Sequence, residues 1–219
     1  MTTSQRAPRR RRDDDRRQQL IEAAAKVISR DGVAAASTRK IAAEAGLPAG
    51  LVHYWFADKD ELLEAVVTAL LGEVEASAGS AEESQDDLED AIVRRFDRAF
   101  DHVVRADDRG RQIAIYELTT WALRAPEREH LATQQYAAYR ETAGRLTAPL
   151  YQEVGAGLPF SHDTLAQLVS ALFDGVTLSW LADPEGTKPE EIFRLMSWLL
   201  TNGLAHGALS TENTPKSAS

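Results

Sequence analysis

The chain has 219 residues, 43% of them hydrophobic and 27% charged, with a formal net charge of −9 and no cysteine. That composition suits a globular core in one large or two small domains, and it excludes a disordered chain, a disulfide framework, a thiolate metal site and a cysteine nucleophile. No run approaches eighteen apolar residues, and the Arg-rich N-terminus lacks an apolar segment, so neither a transmembrane helix nor a secretory signal is expected and the setting reads as cytoplasmic.

The charge is unevenly placed. Through residue 60 there are twelve Lys/Arg against eight Asp/Glu, and beyond it thirteen against twenty-six. A basic head on an acidic body would orient a protein on a polyanion, although acidic surface also serves solubility alone.

Residues 1–14 hold Arg6, Pro8 and the run Arg9 to Arg12, without periodicity, and predict a disordered basic arm. Such an arm reaches phosphates or a minor groove, or is simply a solvated tail balanced by Asp13 to Asp15. A first helix is expected from about Arg16 to Ser29, with Leu20, Ile21, Ala24, Val27 and Ile28 on its buried stripe.

Residues 37–59 are the most informative segment. Ser37 is a good N-cap, and Ile41, Ala42 and Ala45 recur at helical spacing. Gly46 suits a left-handed C-terminal turn, Leu47 sits in place to plug the core behind it, and Pro48 fits the first turn of a next helix. Ala49 and Gly50 are small enough for close approach to a phosphate chain or base edge, while Val52, Trp55 and Phe56 would close the helix onto the core. Asp58 then caps another helix, with Lys59 in its first turn and Leu62, Leu63, Val66 and Val67 on its apolar face. Two short helices around a glycine turn form the layout of a helix-turn-helix, which lays its second helix in the DNA major groove.

The remainder reads as helix throughout, with no β pattern or repeat. Helix 4 runs past Gly72, and residues 76–85 read as a link. Further helices are expected over 87–104, 111–123, 127–153, 163–181 and 189–206, with a breaker at Gly155 to Pro159, a turn at Asp183 to Gly186, and a polar tail over 210–219. The 163–181 helix is apolar around most of its circumference, and 189–206 adds more apolar surface, so a second copy of the chain is the simplest cover. Leu165, Leu168, Leu172, Asp174, Val176, Phe193, Met196 and Leu200 are the expected interface residues. Asp174, the odd polar residue in an apolar helix, serves either an effector or that interface, the second reading being preferred.

On these residues the chain resembles the TetR family of bacterial transcriptional regulators. The likeness covers roughly residues 16–66: the Ile41-Ala42 pair, the Ala45-Gly46 turn, a small recognition helix with Gly50, the aromatic run ending at Phe56, and Lys59 before Leu62-Leu63. The run from Ala171 to Leu178 also looks, more loosely, like the penultimate helix of BetI-like members. Pro48 stands where the family usually has Ser or Thr, and His53 where Tyr is usual, so two phosphate contacts are altered.

The resemblance implies an all-α fold of about nine helices: a DNA-binding head over 15–62, then an effector-binding and dimerisation domain over 63–209. It implies a homodimer on a palindromic double-stranded operator, acting as a repressor released by a small-molecule effector. Ser37, Thr38, Arg39 and Lys40 would meet phosphate at the second helix, His53, Tyr54 and Lys59 around the recognition helix, and Pro48, Ala49, Gly50 and Leu51 would face the groove. Phe96, Phe100, Tyr116, Trp121, Tyr136, Tyr139 and Trp180 either line an effector pocket or are ordinary core.

Other chemistry finds little support. The five histidines show no ligand spacing, there is no P-loop, dinucleotide or nucleophile-elbow motif, and no metal, cofactor or membrane partner is expected. The alternatives are a helical ligand-binding protein or enzyme with an incidental helix-turn-helix, and an architectural DNA binder without an effector. The long body argues against the latter.

Overall fold

In the computed structural model, residues 7–77, 94, 96, 98, 100, 101, 109–154 and 160–211 are described. Among them are eight α-helices and no strand: α1 (Ala7–Asp31), α2 (Thr38–Glu44), α3 (Val52–Trp55), α4 (Lys59–Ser77), α5 (Arg109–Leu123), α6 (Glu129–Val154), α7 (His162–Ala182) and α8 (Pro189–Thr211). Of the helix expected over 87–104, only Arg94, Phe96, Arg98 and Phe100 are described as α-helical, with both phenylalanines buried. Of the link expected over 76–85, Ala76 and Ser77 belong to α4, and 78–85, the breaker at 155–159 and the tail from 212 lie outside the described residues.

Two boundaries differ from expectation. The first helix begins at Ala7 rather than Arg16, so most of the expected disordered arm is helical; residues 1–6 lie outside the described residues. The stretch contains no glycine, and its single proline at position 8 falls in the first turn, where a missing N–H costs nothing. At the other end α8 runs through Thr211, into the segment expected as tail.

The chain packs as two compact units. One comprises residues 1–73 and 107–135, the other 74–106 and 136–219. In the first, α1 packs against both α2 and α5. Its core joins Leu20, Ala24, Val27 and Ile28 of α1 to Ile41 and Ala42 of α2, Val52, Phe56, and Leu62, Leu63 and Val66 of α4. Ala114, Leu118 and Ala122 of α5 complete it, so α5 belongs to the core of the helix-turn-helix unit.

In the second unit Phe96, Phe100, Leu165, Val169, Val176, Phe193, Met196 and Leu200 form one core. Its aromatic rings interlock: Phe100 meets Phe193 at 5.5 Å edge-on, and Phe193 stacks on Phe173 at 5.7 Å. Leu165, Val176, Phe193, Met196 and Leu200, expected at an interface, are buried in this core of the single chain. Helices this apolar have two buried stripes' worth of side chains, and the inward stripe is the one that meets the subunit's own phenylalanines. The outward stripe carries Leu168 and Leu178 on α7 and Leu195, Trp198 and Leu199 on α8, each more than half exposed. α7 also corrects the hydropathy reading. Its most apolar 18 residues reach a mean hydropathy of 1.4, long and apolar enough by length and composition to span a bilayer, although its inward stripe is packed in this core.

Candidate nucleic-acid interface

The head is built by local capping rules. Ser37 takes the N-cap of α2, its hydroxyl accepting the Lys40 N–H at 3.3 Å. At the other end Leu47 N–H bonds Ala42 C=O at 2.9 Å and Gly46 N–H bonds Ala43 C=O at 3.1 Å. This is the paired bond pattern of a Schellman turn, and it requires the positive φ of 65° that Gly46 supplies. Pro48 then lies just outside the following helical segment, with extended ψ of 137°, not within its first turn as expected. The recognition segment is a 3-10 turn, Ala49–Leu51, running directly into α3. Asp58 caps α4 through the Glu61 N–H at 2.9 Å, while the Glu61 carboxylate returns to the Ala57 N–H at 2.6 Å.

These caps set what the surface presents. Val52 and Phe56 are buried, while Pro48, Ala49, Gly50, His53 and Tyr54 are exposed and Leu51 is half-buried. Tyr54 stands 73% exposed, its ring edge against Trp55 at 4.8 Å. An exposed tyrosine at the end of a short helix costs apolar hydration without a protein partner for its hydroxyl, a placement suited to phosphate contact. Arg39 and Lys40 are exposed on α2, and Ser37 and Thr38 lie at its start.

Two of the expected phosphate-binding cations already have partners. Lys40 Nζ lies 3.2 Å from Asp31, which also takes Arg30 at 3.0 Å, and Arg30 reaches Glu44 at 2.9 Å. Hydrogen bonds from Arg30 and then Lys40 hold the Asp31 carboxyl below the usual carboxylate range; those that Arg30 donates to Asp31 and then Glu44 raise the guanidinium above its ordinary value. Lys59 is half-buried and donates to the Val33 carbonyl at 2.7 Å, so its ammonium ties down the loop between α1 and α2. Sequence spacing could not reveal either pairing, because each links separate elements.

Sequence reasoning also missed three fasteners of the head. Gln19 of α1 donates to the Ala45 carbonyl at 2.8 Å. The Arg17 guanidinium lies 5.0 Å from the Phe56 ring centroid. Arg128 covers the Trp121 ring at 4.2 Å and pairs with Asp60 in the first turn of α4.

The expected effector residues do not form one group. Tyr116 and Trp121 belong to the first unit, and Phe96, Phe100, Tyr136, Tyr139 and Trp180 to the second. Phe96 and Phe100 are fully buried core. Tyr136 donates to Asp174 at 2.9 Å and meets Tyr139 edge-on at 5.6 Å. Burial, followed by the Asp174 carboxylate, pushes the Tyr136 phenol up to about 12. A separate groove of about 380 Å³ in the first unit is lined by Val33, Lys59, Leu63, Glu117 and Trp121 among others.

A glycine-turned pair of helices, with an exposed tyrosine-bearing recognition segment and arginine and lysine on the flanking helix, defines a DNA-binding regulator of the helix-turn-helix class. Residues 20–66 match the profile described as bacterial regulatory proteins of the tetR family, and residues 83–202 match the tetracyclin repressor-like C-terminal domain. The chain is 31% identical over 170 residues to the nicotine-responsive transcriptional repressor HdnoR of Paenarthrobacter nicotinovorans, covering 78% of this chain and 86% of that protein. It is 33% identical over 155 residues to the regulator BetI of Stenotrophomonas maltophilia, covering 70% and 74% of the two chains. Among solved structures, the multidrug binding protein EbrR complexed with imidazole is 28% identical with a TM-score of 0.61, covering 90% of this chain and 97% of that one. A Rhodococcus regulator at 20% identity and TM-score 0.67, covering 85% and 96%, shares the fold. The chain belongs to the TetR family: it is a ligand-responsive, DNA-binding transcriptional regulator of the repressor type, and not an enzyme.

Proposed function

We propose that two copies of this chain bind a palindromic operator in the cytoplasm and leave it when a small molecule occupies the C-terminal unit. The observation that carries the DNA half of this reading is the exposed surface from Pro48 to Tyr54, backed by the buried Val52 and Phe56. Ala49, Gly50 and Leu51 would contact base edges, chiefly thymine methyls, while Arg39, His53 and Tyr54 would hold phosphates. Lys40 and Lys59 would contribute only by giving up, or sharing, their present partners. The division into a DNA-binding head and an effector and dimerisation domain belongs to the same proposal.

The dimer half rests on the outward stripe of α7 and α8. Leu168, Leu178, Leu195, Trp198 and Leu199 are large, apolar and more than half exposed. An exposed apolar set of this kind is what an isologous helix–helix interface covers. These residues replace Leu165, Val176, Phe193, Met196 and Leu200 as the proposed contact set.

The effector is proposed to be an organic amine or cation. Asp174 supplies a carboxylate among mostly apolar neighbours in α7; it accepts from Tyr136, whose ring meets Tyr139 edge-on, and Phe173 precedes it in the chain. A carboxylate beside aromatic faces favours a positively charged ligand. Relatives named for a nicotine response or solved with ethidium support that class. A gel shift on duplex selected by the protein from a random library, repeated with nicotine, ethidium and a neutral aromatic of similar size, tests it. Release by the two amine-containing probes and not by the neutral one is expected; release by the neutral one alone would overturn it.

A further inference from the structure

Both backbone groups of one loop residue are held by side chains from different helices. The Val33 N–H donates to the Glu117 carboxylate of α5 at 2.6 Å, and the Val33 carbonyl accepts from Lys59 Nζ of α4 at 2.7 Å. Val33 lies in the loop Gly32–Ser37 that sets the start of α2, the first helix of the DNA-reading pair. Backbone groups in such a loop normally bond water or near neighbours in sequence; here the acceptor, Glu117, and the donor, Lys59, are 84 and 26 residues away.

Gly32 makes the approach possible. A Cβ at that position would stand 3.2 Å from both Glu117 carboxylate oxygens, and its φ of 83° is itself unfavourable for other residues. The adjoining chain thus has a glycine where the α5 carboxylate must come close. On the same side, Arg128 beyond the end of α5 pairs with Asp60, the residue after Lys59. Glu117 within α5 and Arg128 just before α6 therefore hold the α1–α2 loop and the first turn of α4 respectively.

We infer that Glu117 is a positioning residue for DNA binding: through Val33 it fixes where α2 begins, and so makes the placement of the recognition segment depend on the placement of α5. A carboxylate–amide bond is charge-assisted and short, hence stiff, which is what transmission of a helix displacement to a loop requires. Glu117 acts through Val33 and needs no contact of its own with DNA. The inference rests on the reading that this head binds DNA, which wild-type binding in the same assay tests separately.

The test compares Glu117→Ala with Glu117→Gln, whose amide oxygen can still accept the Val33 N–H. Affinity for a duplex selected by the wild-type protein is measured well below the melting temperature of each variant, together with amide exchange at Val33. Glu117→Ala should lose about tenfold in affinity and about tenfold in Val33 protection, with Glu117→Gln recovering most of both. Ile41 protection should be unchanged in either, marking an intact α2. Wild-type affinity in Glu117→Ala, or an equal loss in Glu117→Gln and Glu117→Ala, would overturn the inference. Absence of selected-duplex binding by the wild type would instead overturn the DNA-binding reading.

Discussion

Gln19 and Ala45 are joined by a 2.8 Å hydrogen bond from a side-chain amide on α1 to the last carbonyl region of α2. The end of a helix leaves carbonyls without intrahelical donors, and here another helix supplies one. Gln19→Ala should therefore cost about 1 kcal/mol of unfolding free energy and should loosen α2 relative to α1. Urea denaturation measures the first; an unchanged midpoint would show that water replaces the amide without loss.

The two positive-φ glycines among the described residues should respond unequally. At Gly46, with φ of 65°, an added Cβ meets nothing within 4 Å, so Gly46→Ala should cost only backbone strain, about 1 kcal/mol. At Gly32 the Cβ would also press on the Glu117 carboxylate at 3.2 Å, so Gly32→Ala should cost more, roughly 2–3 kcal/mol. Equal thermal shifts would contradict the close approach of Glu117.

Helix boundaries in the head were legible because their causes are local. Ser37, Gly46 and Asp58 cap or turn helices within a few residues, and each does so where the sequence placed it. Pairings between elements were not legible: nothing near Lys59 announces Val33, and nothing near Lys40 announces Asp31. The outward stripe of α7 and α8 was hidden for another reason. When leucines occupy most of a helix's circumference, periodicity cannot tell which stripe meets Phe193 and which meets solvent. The basic N-terminal run misled because charge density signals solvation, and a solvated arginine run is still a good helix former.

The two stripes can be separated by substitution. Leu199→Glu, on the exposed stripe, should leave a folded chain whose self-association is weakened at least ~30-fold. Leu165→Ala, in the core, should instead destabilise the fold by about 2–5 kcal/mol. Sedimentation velocity and thermal melting on both variants distinguish them. A Leu199→Glu chain that remains dimeric at low concentration would remove α8 from the interface.

Tyr136 gives a pH signature. Its phenol is pushed up to about 12 by burial and by Asp174, so between its ordinary value near 10 and that point the native state keeps a proton that the unfolded state loses. The stabilisation from this group is thus complete below pH 10 and is lost as pH rises toward 12. Ultraviolet titration should show a late phenolate transition that disappears in Tyr136→Phe and moves to lower pH in Asp174→Asn. An unmoved transition in Asp174→Asn would leave burial as the sole cause.

The central claim is that two heads read two equivalent half-sites. Hydroxyl-radical footprinting on a duplex selected by the wild-type protein tests it most directly. The account predicts protection symmetric about a dyad, with major-groove contacts centred about 34–36 Å apart or a multiple of that spacing, and uniform weakening of both halves in Tyr54→Ala. A single unsymmetrical protected patch, or a footprint indifferent to Tyr54, would contradict it.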